Sequence, residues 1–540
     1  MVQHTFLVPQ GFDLDALIGS SPPAITNFQR EKVLYIVDAI SQIPARNKDV
    51  GDDRGYVPLN AEILRENIGD RYHEYLKWLI GCGVLECNGH FSVTHSISRK
   101  YRFTDAYNAP LTPYKAAISR WMERKVRTYA TTGAGGAGGV TGGLTGWERP
   151  IQMLHTSPLY AKLPARNAML NSKEQQQYHE WMRGAYPAVF RWYDEGGLQI
   201  DESLANYYND AVWRFRTDGY APIERRWNGK KGAWLTKDPY SQQRSNSYNV
   251  LDMQRRTYNA HFDPNVMRLH STITSMNKEF RPAVSWRGRP LVTVDISNSQ
   301  PYLLAALLNP DFWANDGMAK SVVTLYDLPY HSNYSHTYPT TDIITLCNFL
   351  QSTQPSDMVT FKEIVTSGKF YEQLAKLLPP PAGRVVYTRD EMKRLMFTVL
   401  FSSNEAINQG WATHKRAFAK LFPSVNALIR LIQANGNEGL PCLLQRLESH
   451  LVFSLILPRI EAELPDTPVF TIHDGVITLK GHERTVARIM REELYYATNN
   501  RPSYKYDYWD AGSMQHDLYW DEAMYDEWRS HMMDMHPYGL

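Results

Sequence analysis

Residues 289–308 read RPLVTVDISNSQPYLLAALL. An apolar run from Leu291 to Val294 stops on Asp295, and a second apolar run, with the spacing of an amphipathic helix, begins at Tyr302. The pattern predicts a buried strand, a polar turn and a helix. A carboxylate where a buried strand ends is costly to desolvate unless it gains a partner, and a divalent cation is the usual one. Taken alone, the segment supports a second reading equally well, with Asp295 as a helix cap, since Asp, Ser and Asn are all cap residues.

Residues 469–479, VFTIHDGVITL, predict strand, turn and strand, because apolar residues flank His473-Asp474-Gly475 and Asp-Gly is the preferred dipeptide of a tight two-residue hairpin. Asp474 then falls at a hairpin tip. Two aspartates this far apart in sequence share a site only through tertiary structure. A carboxylate pair bridging two magnesium ions is what in-line phosphoryl transfer needs: one metal lowers the pKa of the attacking hydroxyl and the other stabilises the leaving pyrophosphate.

These segments resemble a known family. Asp295-Ile-Ser-Asn-Ser-Gln300 followed by an apolar helix resembles motif A of the family A nucleic-acid polymerases, the superfamily of DNA polymerase I and the single-subunit phage RNA polymerases, and His473-Asp474 resembles their motif C. Between them RDEMKRLMFTVLFSSN carries Arg389, Lys393, Phe397 and Phe401 at four-residue intervals, similar to the family's fingers helix, motif B. Such positions lie along one slowly rotating helix face. The resemblance implies that Arg389 and Lys393 hold a triphosphate while Phe397 meets the sugar and Phe401 the base pair. As an isolated segment, the same helix reads as ordinary and amphipathic, with both phenylalanines in the core.

Further matches extend the likeness over about Arg256 to Tyr496. VMRLHSTIT at 266–274 is similar to a stretch whose arginine, here Arg268, reaches the minor groove at the primer end. Phe280-Arg281-Pro282-Ala283 resembles the lead into the motif A strand, and Gln445 falls close to the family's template-contacting glutamine. Three positions depart from the pattern: Gln300 replaces the glutamate that bars a ribose hydroxyl, Phe401 replaces a tyrosine, and Gly475 replaces the acidic neighbour found in the DNA enzymes. A small residue after Asp474 is more like the single-subunit RNA polymerases. Two-metal chemistry survives these departures, while sugar selectivity is thrown open.

The resemblance implies an α+β fold, a right-hand polymerase palm and fingers with an antiparallel palm sheet and helices. Palm and fingers would occupy residues 256–500, with motif A at 292–304, motif B at 389–404 and motif C at 469–479. It also implies two Mg2+ ions, with Mn2+ as a substitute, held by Asp295, Asp474 and the backbone carbonyl of Ile296. Lys393 and His473 join the catalytic set, His473 facing the primer terminus, and Gln300 lies by the nucleotide sugar.

A length of 540 residues suggests two to four domains. Net charge is only +2, so a nucleic-acid surface must come from local clustering of Lys and Arg. A hydrophobic content of 43% with 12% aromatics is ordinary for a globular protein. Cys82, Cys87, Cys347 and Cys442 are too few and scattered for a disulfide framework and read as reduced thiols of a cytoplasmic protein. No apolar run approaches bilayer-spanning length, and the N-terminus lacks a basic head with a long apolar core, so neither a membrane partner nor secretion is expected.

Along the chain, residues 1–110 form an N-terminal region. Residues 25–43 contain a helical pattern, and residues 58–103 suggest two short helices separated by Gly69 and then a hairpin turning at Asn88-Gly89. That is the outline of a winged helix-turn-helix, which binds DNA in some proteins and docks proteins in others. Residues 111–255 hold a basic helix candidate at 116–129, a Gly-rich linker and a basic, aromatic, thumb-like region. There Arg225, Arg226, Lys230 and Lys231 interleave with Trp227 and Trp234, as a strand-binding groove requires, although a solvated loop beside aromatic core fits equally. Residues 501–540 read as an acidic aromatic tail that docks on the basic groove or a partner, or is a surface helix.

The reading that follows is a template-directed nucleotidyltransferase using nucleoside triphosphates, a template and a primer. The SxxQ run after Asp295 and the Arg/Lys/Phe helix look closer to DNA polymerases. Residues upstream of motif A show no acidic motif resembling a proofreading exonuclease, and this equipment resembles that of a phage or mobile element. A single-subunit RNA polymerase or primase-like enzyme is the alternative, argued by Gly475 and Gln300. A replication initiator that keeps the fold without chemistry is the second.

Overall fold

The structure, a computed structural model, describes residues 1–46, 55–89, 99–132, 172–218, 225–228, 233–236, 239–314, 322–328, 338–379, 387–434 and 439–510. It is a mixed architecture of helices and antiparallel sheets. The strands of the main sheet are labelled in chain order: β1 (Leu198–Ile200), β2 (Val284–Trp286), β3 (Arg289–Ile296), β4 (Phe470–Ile472), β5 (Gly475–Leu479) and β6 (Tyr504–Trp509). The order is β4-β5-β3-β2-β1, with β6 also paired to β3. Leu291, Val292 and Val294 are fully buried, as a β-branched run in a central strand should be.

Two turns set the register. Between β2 and β3 the two-residue loop Arg287-Gly288 has positive φ at both positions, the geometry that matches strand twist. Between β4 and β5, Ile472 pairs directly with Gly475, so the turn is His473-Asp474, with His473 at φ +54°. Asp474 lies on the hairpin as expected, but Gly475 is already the first residue of the return strand. The turn therefore sits one position earlier than the Asp-Gly signal places it.

Helix α1 (Ser299–Ala306) starts three residues before the expected Tyr302, entered through Asn298 in the left-handed region. Helix α2 (Arg389–Phe401) has a capping box formed by Thr388 and Glu391. The helical run α3 (Gly439–Glu463) spans 25 residues and is apolar enough to cross a membrane, contrary to the expectation that no such run exists. Two-thirds of its most apolar window is buried within the protein, which makes it a core helix. A π segment at Leu451–Ile456 precedes Pro458, whose missing N–H cannot complete an ordinary turn.

At the N-terminal end, Val2–Pro9 pairs with Leu111–Ile118 through eight positions. Residues 116–118, expected to open a basic helix, therefore belong to a strand, and the helix begins at Arg120. The helix expected from residue 25 runs instead over Arg30–Arg46. Helices Ala61–Ile68 and Tyr72–Gly81 lie between the first and second strands, in chain order, of a three-stranded sheet of Val57–Pro58, Lys100–Phe103 and Leu85–Cys87. Asn88 is still bonded across to Lys100, so Asn88-Gly89 is not a tight two-residue turn, and residues 90–98 lie outside the described ones. This part has its own apolar core.

Residues 504–509, expected within a tail, form β6 along the length of β3. Their alternation of Tyr with Lys and Asp is a strand period hidden in a polar composition. The Gly-rich linker and the acidic end of the tail lie outside the described residues. All four cysteines are unbridged.

Candidate active site

Asp295 is the penultimate residue of β3, and in the register it faces Gly475 of β5 on one side and Lys505 of β6 on the other. Asp474 immediately precedes Gly475, so the two aspartates that the sequence separates by nearly 180 residues are brought together. Burial, and then the Asp474 carboxylate, push the Asp295 carboxyl well above its ordinary range, while Lys505 and Arg281 act against them. A partly buried carboxylate pair at the end of a strand is the situation a hard cation relieves. The available side-chain donors are oxygens, which suits magnesium, although among the described residues no group of three or more His, Cys, Asp or Glu forms a ready-made cage.

Gly475 has a steric reason. A Cβ there would lie 2.8 Å from Thr293 Cγ2 and 3.4 Å from Asp295 Oδ1. An acidic residue at this position would collide with β3 and crowd the Asp295 carboxylate.

Helix α2 buries Met392, Leu395, Met396, Val399 and Leu400. Phe397 is 58% exposed and Phe401 40%, their ring centroids 5.6 Å apart. These phenylalanines are not core, and the amphipathic reading that buried them is set aside. Lys393 is half-buried, and its pKa is lowered by burial first and then by Arg389, with Lys505 and Lys278 adding to it. Arg389 donates to Glu372 at 2.9 Å and lies 5.4 Å from the Tyr371 ring centroid. Burial raises the Tyr371 hydroxyl to about 12; Arg389 opposes the shift and Asp474 adds to it. Tyr371 therefore lies within the influence of both Arg389 at the start of α2 and Asp474.

Behind the aspartates sits a residue the sequence reading missed. Glu448, on α3, is 3% exposed. Arg268 grips it with both arms, Nε and Nη2 to Oε1 at 3.0 and 2.8 Å and Nη2 to Oε2 at 3.0 Å, and Gln300 Nε2 donates to Oε2 at 3.0 Å. Burial pushes the Glu448 carboxyl up to about 8, with Asp474 adding to it and Arg268 opposing. Arg268 and Gln300 thus meet on one buried acid, while Gln445 lies one turn earlier on α3 and takes no part in this cluster. A lone acid within LLQRLESHLVFSLIL was the available signal, because a charge in an apolar helix must be paired.

Arg281 pairs with Asp507 of β6 and lies over the Trp509 ring. Asn298 is 6% exposed, sits at φ +57°, and has neither amide atom hydrogen-bonded. Arg225 and Arg226 lie on a short strand paired with Ala233–Thr236, while Lys230 and Lys231 lie outside the described residues.

No known family profile matches this chain, and no curated protein matches it. Among solved structures it is similar to the polymerase domain of Pol1 from M. smegmatis, in complex with DNA primer-template and dNTP. The identity is 12%, the match covers 63% of this chain and 73% of that one, and the TM-score is 0.25.

Proposed function

We infer that this chain is a template-directed nucleotidyltransferase, in the first instance a DNA polymerase without proofreading. The observation that carries the reading is the convergence of Asp295 and Asp474 on neighbouring strands, together with a helix that leaves Arg389, Lys393, Phe397 and Phe401 among its unburied positions. Asp295, Asp474 and the Ile296 carbonyl would hold two Mg2+ ions, or Mn2+ in their place. Bound there, the metals would activate the attacking hydroxyl and stabilise the leaving pyrophosphate. The chain's own part is positioning: Arg389 and Lys393 bind the triphosphate, the phenylalanines flank the nucleotide, and His473 on its turn faces the primer terminus.

Two observations favour a second reading, an enzyme that makes RNA. Gln300 presents a neutral amide tied to Glu448, and the space beside Asp295 is too tight at 475 for an acidic side chain. The two helices and three strands of residues 57–103 support a winged-helix assignment, which would serve DNA or protein docking.

The test is extension of a labelled primer on a DNA template with Mg2+, with dNTPs and NTPs in separate reactions. Incorporation of dNTPs that Asp295→Ala and Asp474→Ala each abolish is the expected result. Incorporation of NTPs alone establishes the RNA-making reading. Inactivity of the intact chain with both, on primed and unprimed templates, would exclude catalysis and leave the non-catalytic initiator.

A further inference from the structure

Lys505 is directly opposite Asp295 in the β3–β6 register. Residues paired across antiparallel strands project from the same face with Cβ atoms about 4.5–5.5 Å apart. The same face carries Gly475 on the other side of Asp295, next to Asp474. Yet Lys505 is exposed where Asp295 is partly buried, and among the described residues no hydrogen bond or ion pair holds its ammonium group. The lysine is therefore exposed beside the carboxylate and not tied to it by a hydrogen bond. Its charge lowers the pKa both of Asp295, across the strand pair, and of Lys393 on α2. Two lysines from different elements thus act on each other's charge near a carboxylate pair, and such repulsion is relieved by an anion with several charges.

We propose that Lys505 is a further polyphosphate-binding residue, which with Lys393 receives the triphosphate of the incoming nucleotide beside Asp295 and Asp474. The proposal rests on the nucleotidyltransferase reading for the identity of its ligand, and its test uses binding, not turnover. Phosphates of a nucleic-acid backbone share the chemistry, so both are measured.

Equilibrium binding of a nucleoside triphosphate with Mg2+ is compared for the full chain, Lys505→Ala and Lys505→Arg, alongside binding of a primer–template duplex and of Mn2+ alone. Loss of one charge-assisted hydrogen bond should raise the triphosphate Kd of Lys505→Ala about tenfold or more, with Lys505→Arg recovering most of it. The duplex Kd and the thermal midpoint should stay near wild type, since the side chain is exposed. An unchanged triphosphate Kd in Lys505→Ala overturns the proposal, as does wild-type protein that binds no triphosphate. A weakened duplex Kd with triphosphate binding intact assigns Lys505 to the backbone instead, and tighter Mn2+ binding as the sole change reduces it to a counter-charge for Asp295. Wild-type protein that binds triphosphate through Lys505 but incorporates none would refute polymerase activity and leave this site standing.

Discussion

At the scale of single residues, the site is governed by which charges are buried together. Glu448 is enclosed, and among the described residues its only charged hydrogen-bond partner is Arg268. Removing the hydrogen-bonding partner of a buried acid leaves its oxygens unsatisfied, which typically costs about 1–3 kcal/mol. Arg268→Ala should lose stability on that order in denaturant titrations, while the double variant Arg268→Ala/Glu448→Ala should lose less than the sum. Strict additivity would show that the two do not depend on each other. The same carboxyl gives a pH signature. Its folded pKa, about 8, lies above its unfolded value, so the folded state holds the proton more tightly. Its contribution is then present below the unfolded pKa and is lost as pH rises toward the folded one. Unfolding free energy of the wild type should fall between about pH 5 and pH 8 more steeply than that of Glu448→Gln; equal slopes would remove Glu448 as the cause. Gly475→Ala puts a methyl against Thr293 Cγ2, an overpacking worth about 1–3 kcal/mol. Thr293→Ser removes that methyl and keeps the hydroxyl that accepts from Trp509 Nε1, so it should restore much of the loss when combined with Gly475→Ala.

At the scale of elements, α2 separates packing from chemistry along one helix. Leu395→Ala empties the core and should cost about 2–5 kcal/mol, whereas Phe397→Ala and Phe401→Ala, on the open face, should each change stability by less than about 0.5 kcal/mol. If α2 meets a nucleotide, both phenylalanine variants should raise the KM for nucleotide or lower kcat without that loss; unaltered kinetics would leave them as surface aromatics. The helix is pinned at its far end by Lys415, 1% exposed, whose ammonium donates to the carbonyls of Ser402 and Ser403 at 2.8 Å each. What the sequence made legible here is local. The strands ending at Asp295 and Asp474 announce themselves by apolar runs that stop on polar turns, and the spacing of Arg389 to Phe401 is that of one helix face. What stayed hidden is tertiary. Glu448 is meaningful only once Arg268 and Gln300 arrive from elsewhere in the chain, and Lys505 only once β6 is laid beside β3. The tyrosines of β6 made a polar stretch look like a tail, because strand pairing with a distant partner leaves no trace in local composition.

At the scale of the whole molecule, the question is how the N-terminal part, with its own apolar core, is fastened to the body that carries the site. One of several links runs through a buried carboxylate. Asp38, in the helix Arg30–Arg46, accepts from the backbone N–H of Leu7 at 2.8 Å, and Tyr248, in the helix Pro239–Gln254, donates its hydroxyl to Asp38 Oδ1 at 3.1 Å and to the Asp38 carbonyl at 2.9 Å. The three groups are buried, so water cannot replace a lost partner. Asp38→Ala would leave the Leu7 N–H without its carboxylate acceptor and take one acceptor from Tyr248, at a cost of about 1–3 kcal/mol for the stranded donor. Asp38→Asn keeps an acceptor oxygen at the same place and should be much milder. Because the deficit falls on the N-terminal part and on one bond that crosses from Tyr248, Asp38→Ala should split calorimetric unfolding, with the N-terminal part melting ahead of the rest while Asp38→Asn keeps the wild-type profile. A lowered but unsplit transition would mean that the two parts fold as one unit whatever Asp38 contributes. An unchanged midpoint would show that the fastening lies elsewhere, in the packing of the two helices against each other.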